Sequence, residues 1–368
     1  MPTFSFDTLS VDKVIIEFLK KQEGIAIDRY SSKGRNGELF FGLNKILNKR
    51  VALKFYYIDD KESAHEEVRI LSNIKNPNIL EVFDARVINK NYAYFLTPEI
   101  EGGDLDKFMQ ENRIEVFKAI HITKGILKGL TALHGHAPNR LLHRDLKPGN
   151  ILIDINRNPF IADFGSIKMM PPSLDSIKAS YHSLLFRPPE VFHTKQYYFK
   201  SDIYQVGIIL YQLLGGYLPY QDVAWLSNKE KQKHSLFNNS YDKSKYLDSI
   251  IGEKICSGKL LKYDSLPLFI CKKLKNIIKK ATNIDLEKRY LNTAEFMRDI
   301  HEFMSTSVNW RIDPEGVVAI KRDDFTLRII QDGKKNIPLV QKRYGKVWKN
   351  YNRIKGTTEE IVDQINSL

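Results

Sequence analysis

The stretch His143-Arg144-Asp145-Leu146-Lys147-Pro148-Gly149-Asn150, followed by Asp163-Phe164-Gly165, decides how the rest of this chain is read. It places a carboxylate able to take a proton, Asp145, two positions before an ammonium able to face an anion, Lys147. Asn150 and Asp163 add the oxygen donors that a hard divalent cation prefers. The flanks Leu141-Leu142 and Ile151-Leu152-Ile153 are short apolar runs that read as buried strand. The polar residues therefore stand on loops held between core segments.

Upstream, three further features belong with this stretch. The turn Ser32-Lys33-Gly34-Arg35-Asn36-Gly37-Glu38-Leu39 carries two glycines, which let backbone N–H groups approach an anion with no Cβ in the way. Val51-Ala52-Leu53-Lys54-Phe55-Tyr56-Tyr57 follows as a strand that carries Lys54. A helical pattern over 61–74 then offers Glu66 and Glu67. Glu67 lies four residues before Leu71 on the apolar stripe of Val68, Leu71 and Ile74, so it is the preferred partner for Lys54.

In order and spacing these segments resemble the eukaryotic-type (Hanks-type) protein kinase family. The resemblance implies an α+β fold of two lobes, a β-rich small lobe and an α-helical large lobe. It implies transfer of the γ-phosphoryl group of ATP to a protein hydroxyl with Mg²⁺, or Mn²⁺ in its place. By that likeness Asp145 is the base for the acceptor hydroxyl and Lys147 neutralises the transferred group. Asn150 and Asp163 hold the metal, and Lys54, ordered by Glu67, meets the nucleotide phosphates. The nucleotide pocket would take Gly34, Gly37, Leu39, Ala52 and Leu152. Thr97 would be the gatekeeper, the Pro98 carbonyl and Ile100 N–H would meet the adenine, and Asp104 the ribose. Asp104 reads equally as the N-cap of a helix beginning at Leu105. Departures are Ser32 at the first glycine position, Leu39 for valine, and Arg187-Pro188-Pro189-Glu190 where Ala-Pro-Glu is usual.

Lys147 and Ser183 match the serine/threonine pattern, Ser183 as part of the substrate platform. Glu190 and Arg289 are expected to pair, and Asp202 to hold the loop around Asp145. Arg144, beside that carboxylate, would welcome an added anion. Ser173, Ser176 and Ser180 are the candidate phosphosites, which makes autophosphorylation of this segment an expectation. The alternative is a pseudokinase or scaffold that binds nucleotide and docks partners through a basic tail.

The chain has 368 residues and is 42% hydrophobic, enough for a real core. Cys256 and Cys271 have no metal-ligand spacing, and no apolar run approaches the ~20 residues of a membrane span. The N-terminus lacks a basic start and an apolar core, so the chain reads as cytoplasmic. The expected organisation is an N-terminal helical extension over 1–24 and a kinase domain over 25–305. Within it, the small lobe takes 25–100 and the large lobe 101–305, with a polar surface insertion at 221–250. A basic α/β appendage over 306–368 would follow. Strands are expected at Ile79–Phe83 and Tyr92–Leu96, and the appendage shows a hairpin of Val318–Ile320 with Phe325–Ile330, then a helix capped by Thr357 or Thr358. Of the net charge of +13, +8 lies in 228–280 and +4 in 307–368. Residues 333–356 hold eight basic residues and no acidic one. Those two surfaces could meet an acidic protein or nucleic acid.

Overall fold

Strand register assigns each face of the N-terminal sheet its role. In a computed structural model, residues 4–32, 37–58, 65–112, 115–179, 183–321, 324–331 and 337–368 are described. Gly34 and Ser180 lie outside them. The chain opens with α1 (Lys13–Lys20), capped by Asp12, and continues through β1 (Ile25–Ser31), β2 (Glu38–Asn44) and β3 (Lys49–Tyr57). Next come α2 (Glu66–Asn73), β4 (Asp84–Val87) and β5 (Tyr92–Pro98). The five strands form an antiparallel sheet in the order β1-β2-β3-β5-β4. Successive side chains alternate across a strand. Phe40, Val51, Leu53, Phe55 and Leu96 therefore share one face, and Ile15 and Leu19 of α1 pack into the same cluster. Leu39, Ala52, Lys54 and Thr97 fall on the other face.

A strand at Ile79–Phe83 is not found. Ile79 makes only an isolated bridge to Ile161, and the ladder partner of β5 is Asp84–Val87. The apolar run is instead drawn to the 152–167 segment, where Leu80 N–H meets Ile161 C=O at 3.0 Å and Ile161 N–H meets Asn78 C=O at 2.8 Å.

The second part of the chain is helical. It contains α3 (Leu105–Glu111), α4 (Val116–His134), β6 (Arg140–Leu142), β7 (Ile151–Ile153), β8 (Pro159–Ile161) and β9 (Lys168–Met170). The segment after β9 carries β10 (Ile177–Lys178), α5 (Pro189–His193) and β11 (Gln196–Tyr197). Then follow α6 (Phe199–Leu213), α7 (Asn228–Ser235), α8 (Ser240–Cys256), α9 (Lys272–Ala281) and α10 (Thr293–Thr306). Helix α4 presents Ala119, Ile120, Ile122, Ile126, Leu127, Leu130 and Leu133 to the interior. The polar stretch 221–250 is largely helical, because Ser227 and Asn239 supply side-chain caps at the starts of α7 and α8.

After α10 the chain forms an antiparallel meander of five strands: β12 (Asn309–Asp313), β13 (Gly316–Lys321), β14 (Phe325–Gln331), β15 (Pro338–Tyr344) and β16 (Val347–Asn350). Helix α11 (Thr358–Ser367) closes it, with Thr357 as N-cap in a reciprocal pair with Glu360. The sheet is tied to the helical part. Asn309 accepts from the Phe117 N–H at 2.9 Å, and buried Trp310 stacks on Phe269 with ring centres 5.7 Å apart.

Contacts divide the chain into two compact units. One comprises Met1–Gly103 with Leu152–Ile167, the other Asp104–Ile151 with Lys168–Leu368.

Candidate active site

In the first unit, Lys54 sits at a sheet position whose ring neighbour is Phe95, 5.5 Å below its ammonium. Its Nζ lies 2.7 Å from Glu67 Oε1 and 3.9 Å from Asp163 Oδ1. Burial by itself would lower the ammonium pKa, but the two carboxylates outweigh it and hold the value above the usual lysine range. Glu67 also accepts from the Phe164 N–H at 3.2 Å, so one carboxylate fixes both the lysine and the turn at Asp163. Asp163 itself is left-handed at φ 60°, a conformation that branched or bulky residues avoid.

The rest of the anticipated nucleotide wall lies on the same sheet. Ala52 faces Thr97 across the β3–β5 ladder, Val51 faces Pro98, and Leu39 faces Lys54. Gly37 has φ 144°, and a Cβ there would lie 1.8 Å from the Phe55 carbonyl oxygen, so no other residue fits without moving the strand. Past β5, Glu99 N–H donates to Arg50 C=O, whereas the Ile100 N–H donates to nothing among the described residues. Glu99 is gripped by Arg50 and Arg29, which stiffens this turn. Leu152 is half-buried beside it, its neighbour Ile153 donating to Gly103 C=O at 2.9 Å.

In the second unit, Asp104 caps α3 by accepting from Lys107 N–H at 2.8 Å. The loop after β6 brings Asp145, Lys147, Asn150 and Ser183 together. Lys147 Nζ donates to Asp145 Oδ2 at 2.8 Å and to Ser183 Oγ at 2.7 Å. Asn150 Nδ2 donates to Asp145 C=O at 2.8 Å and to Oδ2 at 3.1 Å. All these donors crowd one oxygen. Asp145 Oδ1 is buried and takes no hydrogen bond among the described residues. Such an atom is costly unless something arrives to use it.

A buried scaffold sets that geometry. Arg144 is left-handed at φ 70°, and Asp202 on α6 accepts from the N–H groups of His143 and Arg144 at 3.0 and 2.9 Å. Asp202 also accepts from His134 at 2.8 Å and Tyr197 O–H at 2.7 Å. Burial pushes its carboxyl pKa up, yet the His134 bond and neighbouring charge and donors outweigh that and leave it below the ordinary aspartate value. Nearby, Glu190 and Arg289 form a bidentate pair at 2.7 and 2.9 Å, with the Ser201 hydroxyl also on Glu190.

Sequence reasoning passed over Gln205. Its Oε1 accepts from Leu146 N–H at 2.9 Å, and its Nε2 donates to the carbonyls of Arg144 at 3.3 Å and Phe186 at 3.1 Å. Gln205 thus holds the backbone on both sides of Asp145. The available signal was a glutamine inside the apolar run Ile203–Leu210, where a polar side chain has no place unless it is bonded.

Of the regulatory candidates, Arg144 Nη1 donates to Lys178 C=O at 3.1 Å, and Ser176 Oγ donates to Gln196 at 3.4 Å. Ser173 is exposed.

The protein kinase domain model matches residues 32–301, most of the chain. The chain belongs to the protein kinase family. A serine/threonine-protein kinase atg1 of Dictyostelium discoideum is 28% identical over 288 residues, which cover 74% of this chain and 38% of that protein. The chain therefore spans well under half the length of this relative. Membership in the family generally implies use of ATP and a divalent metal, and protein substrates. Among the described residues, no cluster of three or more His, Cys, Asp or Glu could hold a metal alone, and no helix is long and apolar enough to cross a membrane.

Proposed function

We propose that the chain is an active serine/threonine protein kinase that moves the γ-phosphoryl group of ATP to protein hydroxyls. The observation that carries this reading is the divided Asp145 carboxylate. One oxygen is held by Lys147 and Asn150, and the other is buried and waiting. An acceptor hydroxyl at that second oxygen would be oriented for attack and could give up its proton there. Lys147, bonded to Ser183, would meet charge on the transferred group while a serine or threonine lies along the platform.

The residues suit a divalent cation. Asn150 commits its amide nitrogen to Asp145, so its oxygen is the end left for a ligand, and Asp163 adds a carboxylate. A bound Mg²⁺ would neutralise phosphate charge; Mn²⁺ has compatible donor needs. Lys54, kept charged by Glu67 and Asp163, would meet the phosphates. Asp104 would reach the ribose, and the Ile100 N–H, which donates to nothing among the described residues, supports an adenine-facing hinge. Arg144 lies on the Lys178 carbonyl, between Ser176 and Ser180, which favours autophosphorylation of this segment. Cytoplasmic location is part of the same reading.

Transfer from radiolabelled ATP to a mixed serine/threonine peptide array tests it. Wild type should label serine and threonine peptides, and Asp145→Ala and Asp163→Ala should each lose at least ~100-fold in rate. Equal labelling by wild type and both variants, or none by wild type, would favour the scaffold reading. Phosphate absent from 166–183 after ATP treatment would remove autophosphorylation alone.

A further inference from the structure

The β15–β16 hairpin carries a charge arrangement that folding alone disfavours. Lys342 and Lys349 are cross-strand partners in the antiparallel ladder. Like charges directly opposite one another destabilise a sheet. On the other face of the hairpin, Arg343 stands opposite Trp348, whose ring already lies 4.5 Å from the Arg328 guanidinium. Over 338–356 there are six cations, Lys342, Arg343, Lys346, Lys349, Arg353 and Lys355, and no Asp or Glu. None of the six makes an ion pair among the described residues. Arg343 bonds the Gly345 carbonyl, and Lys342 sits over Tyr344 and Tyr351 at 5.8 and 5.6 Å.

The sheet that carries these charges is firm. Val340, Leu327 and Ile329 are buried, and Trp310 Nε1 bonds Asn366 of α11 at 2.9 Å. Lys342, Arg343 and Lys349 thus occupy fixed places on a folded sheet, with Lys346 in the turn that joins its last two strands. Aromatic rings alternate with them, and Tyr344 is 52% exposed.

We propose that this hairpin is a docking surface for single-stranded nucleic acid, bound without sequence preference. Unpaired cations would follow the phosphates, and the tyrosine faces would stack on bases. A run of Asp and Glu would use the cations but carries no aromatic faces to stack on the rings, whereas every nucleotide brings one. Binding would relieve the Lys342–Lys349 repulsion, so the surface gains more from a polyanion than scattered lysines would.

The test is fluorescence anisotropy of the full chain with a labelled oligothymidylate of about 16 nucleotides. Affinity should fall steeply between about 50 and 200 mM salt. The double variant Lys342→Gln/Lys349→Gln should weaken binding at least ~10-fold and reduce the logarithmic salt slope by about 1.4, for two lost phosphate contacts. Tyr344→Ala should weaken binding ~5-fold or more with the slope unchanged. Peptide phosphorylation should stay at the wild-type value in both variants and neither should melt below wild type, the double variant melting slightly higher as the Lys342–Lys349 repulsion is removed, which separates docking from misfolding. No binding by wild type at the lower salt, or equal binding by the double variant, overturns the proposal. Anionic vesicles or polyglutamate binding as tightly as the oligonucleotide would also overturn it, in favour of a membrane or an acidic protein.

Discussion

At the scale of single residues, the site depends on side chains that never meet a substrate. Gln205→Leu would leave Leu146 N–H and the Phe186 carbonyl without their partner, at about 1–3 kcal/mol for each group that stays buried. The expected outcome is a fall in kcat of tenfold or more, because Asp145 loses its register. KM for nucleotide should hold, since the Lys54–Glu67 pair is untouched; steady-state kinetics with both substrates checks the split. Asp202 gives a pH prediction. Its carboxyl pKa is lowered in the folded chain, so its stabilisation is present above the unfolded value of about 3.9 and is lost as pH falls through the folded value. Thermal melts across that range should show wild type losing stability on acidification more steeply than Asp202→Asn. Near neutral pH the variant should be weaker by about 2–4 kcal/mol, because a buried acceptor of four bonds becomes partly a donor.

At the scale of elements, α1 is part of the sheet's core rather than an ornament. Ile15→Ala should cost about 2–4 kcal/mol in chemical denaturation and raise hydrogen exchange in β2 and β3. Its apolar spacing was visible in the sequence because it buries one clear face, and β3, β5 and α4 were visible as longer apolar runs that are buried more completely. The loops around Asp145 and Asp163 were legible for another reason: the chemistry restricts which residue types can stand there. The site was harder to read where the requirement was mutual. Gln205 serves backbone atoms far along the chain, Tyr197 orients the side chains of Asp202 and Gln205, and no local pattern announces either role. β4 was misplaced because Ile79–Leu80 is apolar enough for a strand but is claimed by Ile161. In the appendage a hairpin stood out, whereas β15 and β16 are lysine- and arginine-rich and show little apolar alternation. Their strand character comes from pairing with β14 rather than from their own composition.

At the scale of the whole molecule, the appendage shares a core with the helical unit. Trp310 is 2% exposed against Phe269, so Trp310→Ala should cost about 3–5 kcal/mol. Calorimetry should show the meander and the helical unit unfolding in one transition, and removal of 308–368 should lower its temperature. A separate low-temperature transition for the meander would contradict this. The route of the chain has a different consequence. It passes from one unit to the other at Gly103, returns at Leu152 and leaves again after Ile167. The returning segment is clasped by Asn78, Leu80 and Glu67 through Pro159, Ile161 and Phe164. A protease nick between Gly103 and Asp104 would therefore not release the N-terminal piece. The two fragments would remain a complemented pair, co-eluting under native conditions and parting only in denaturant.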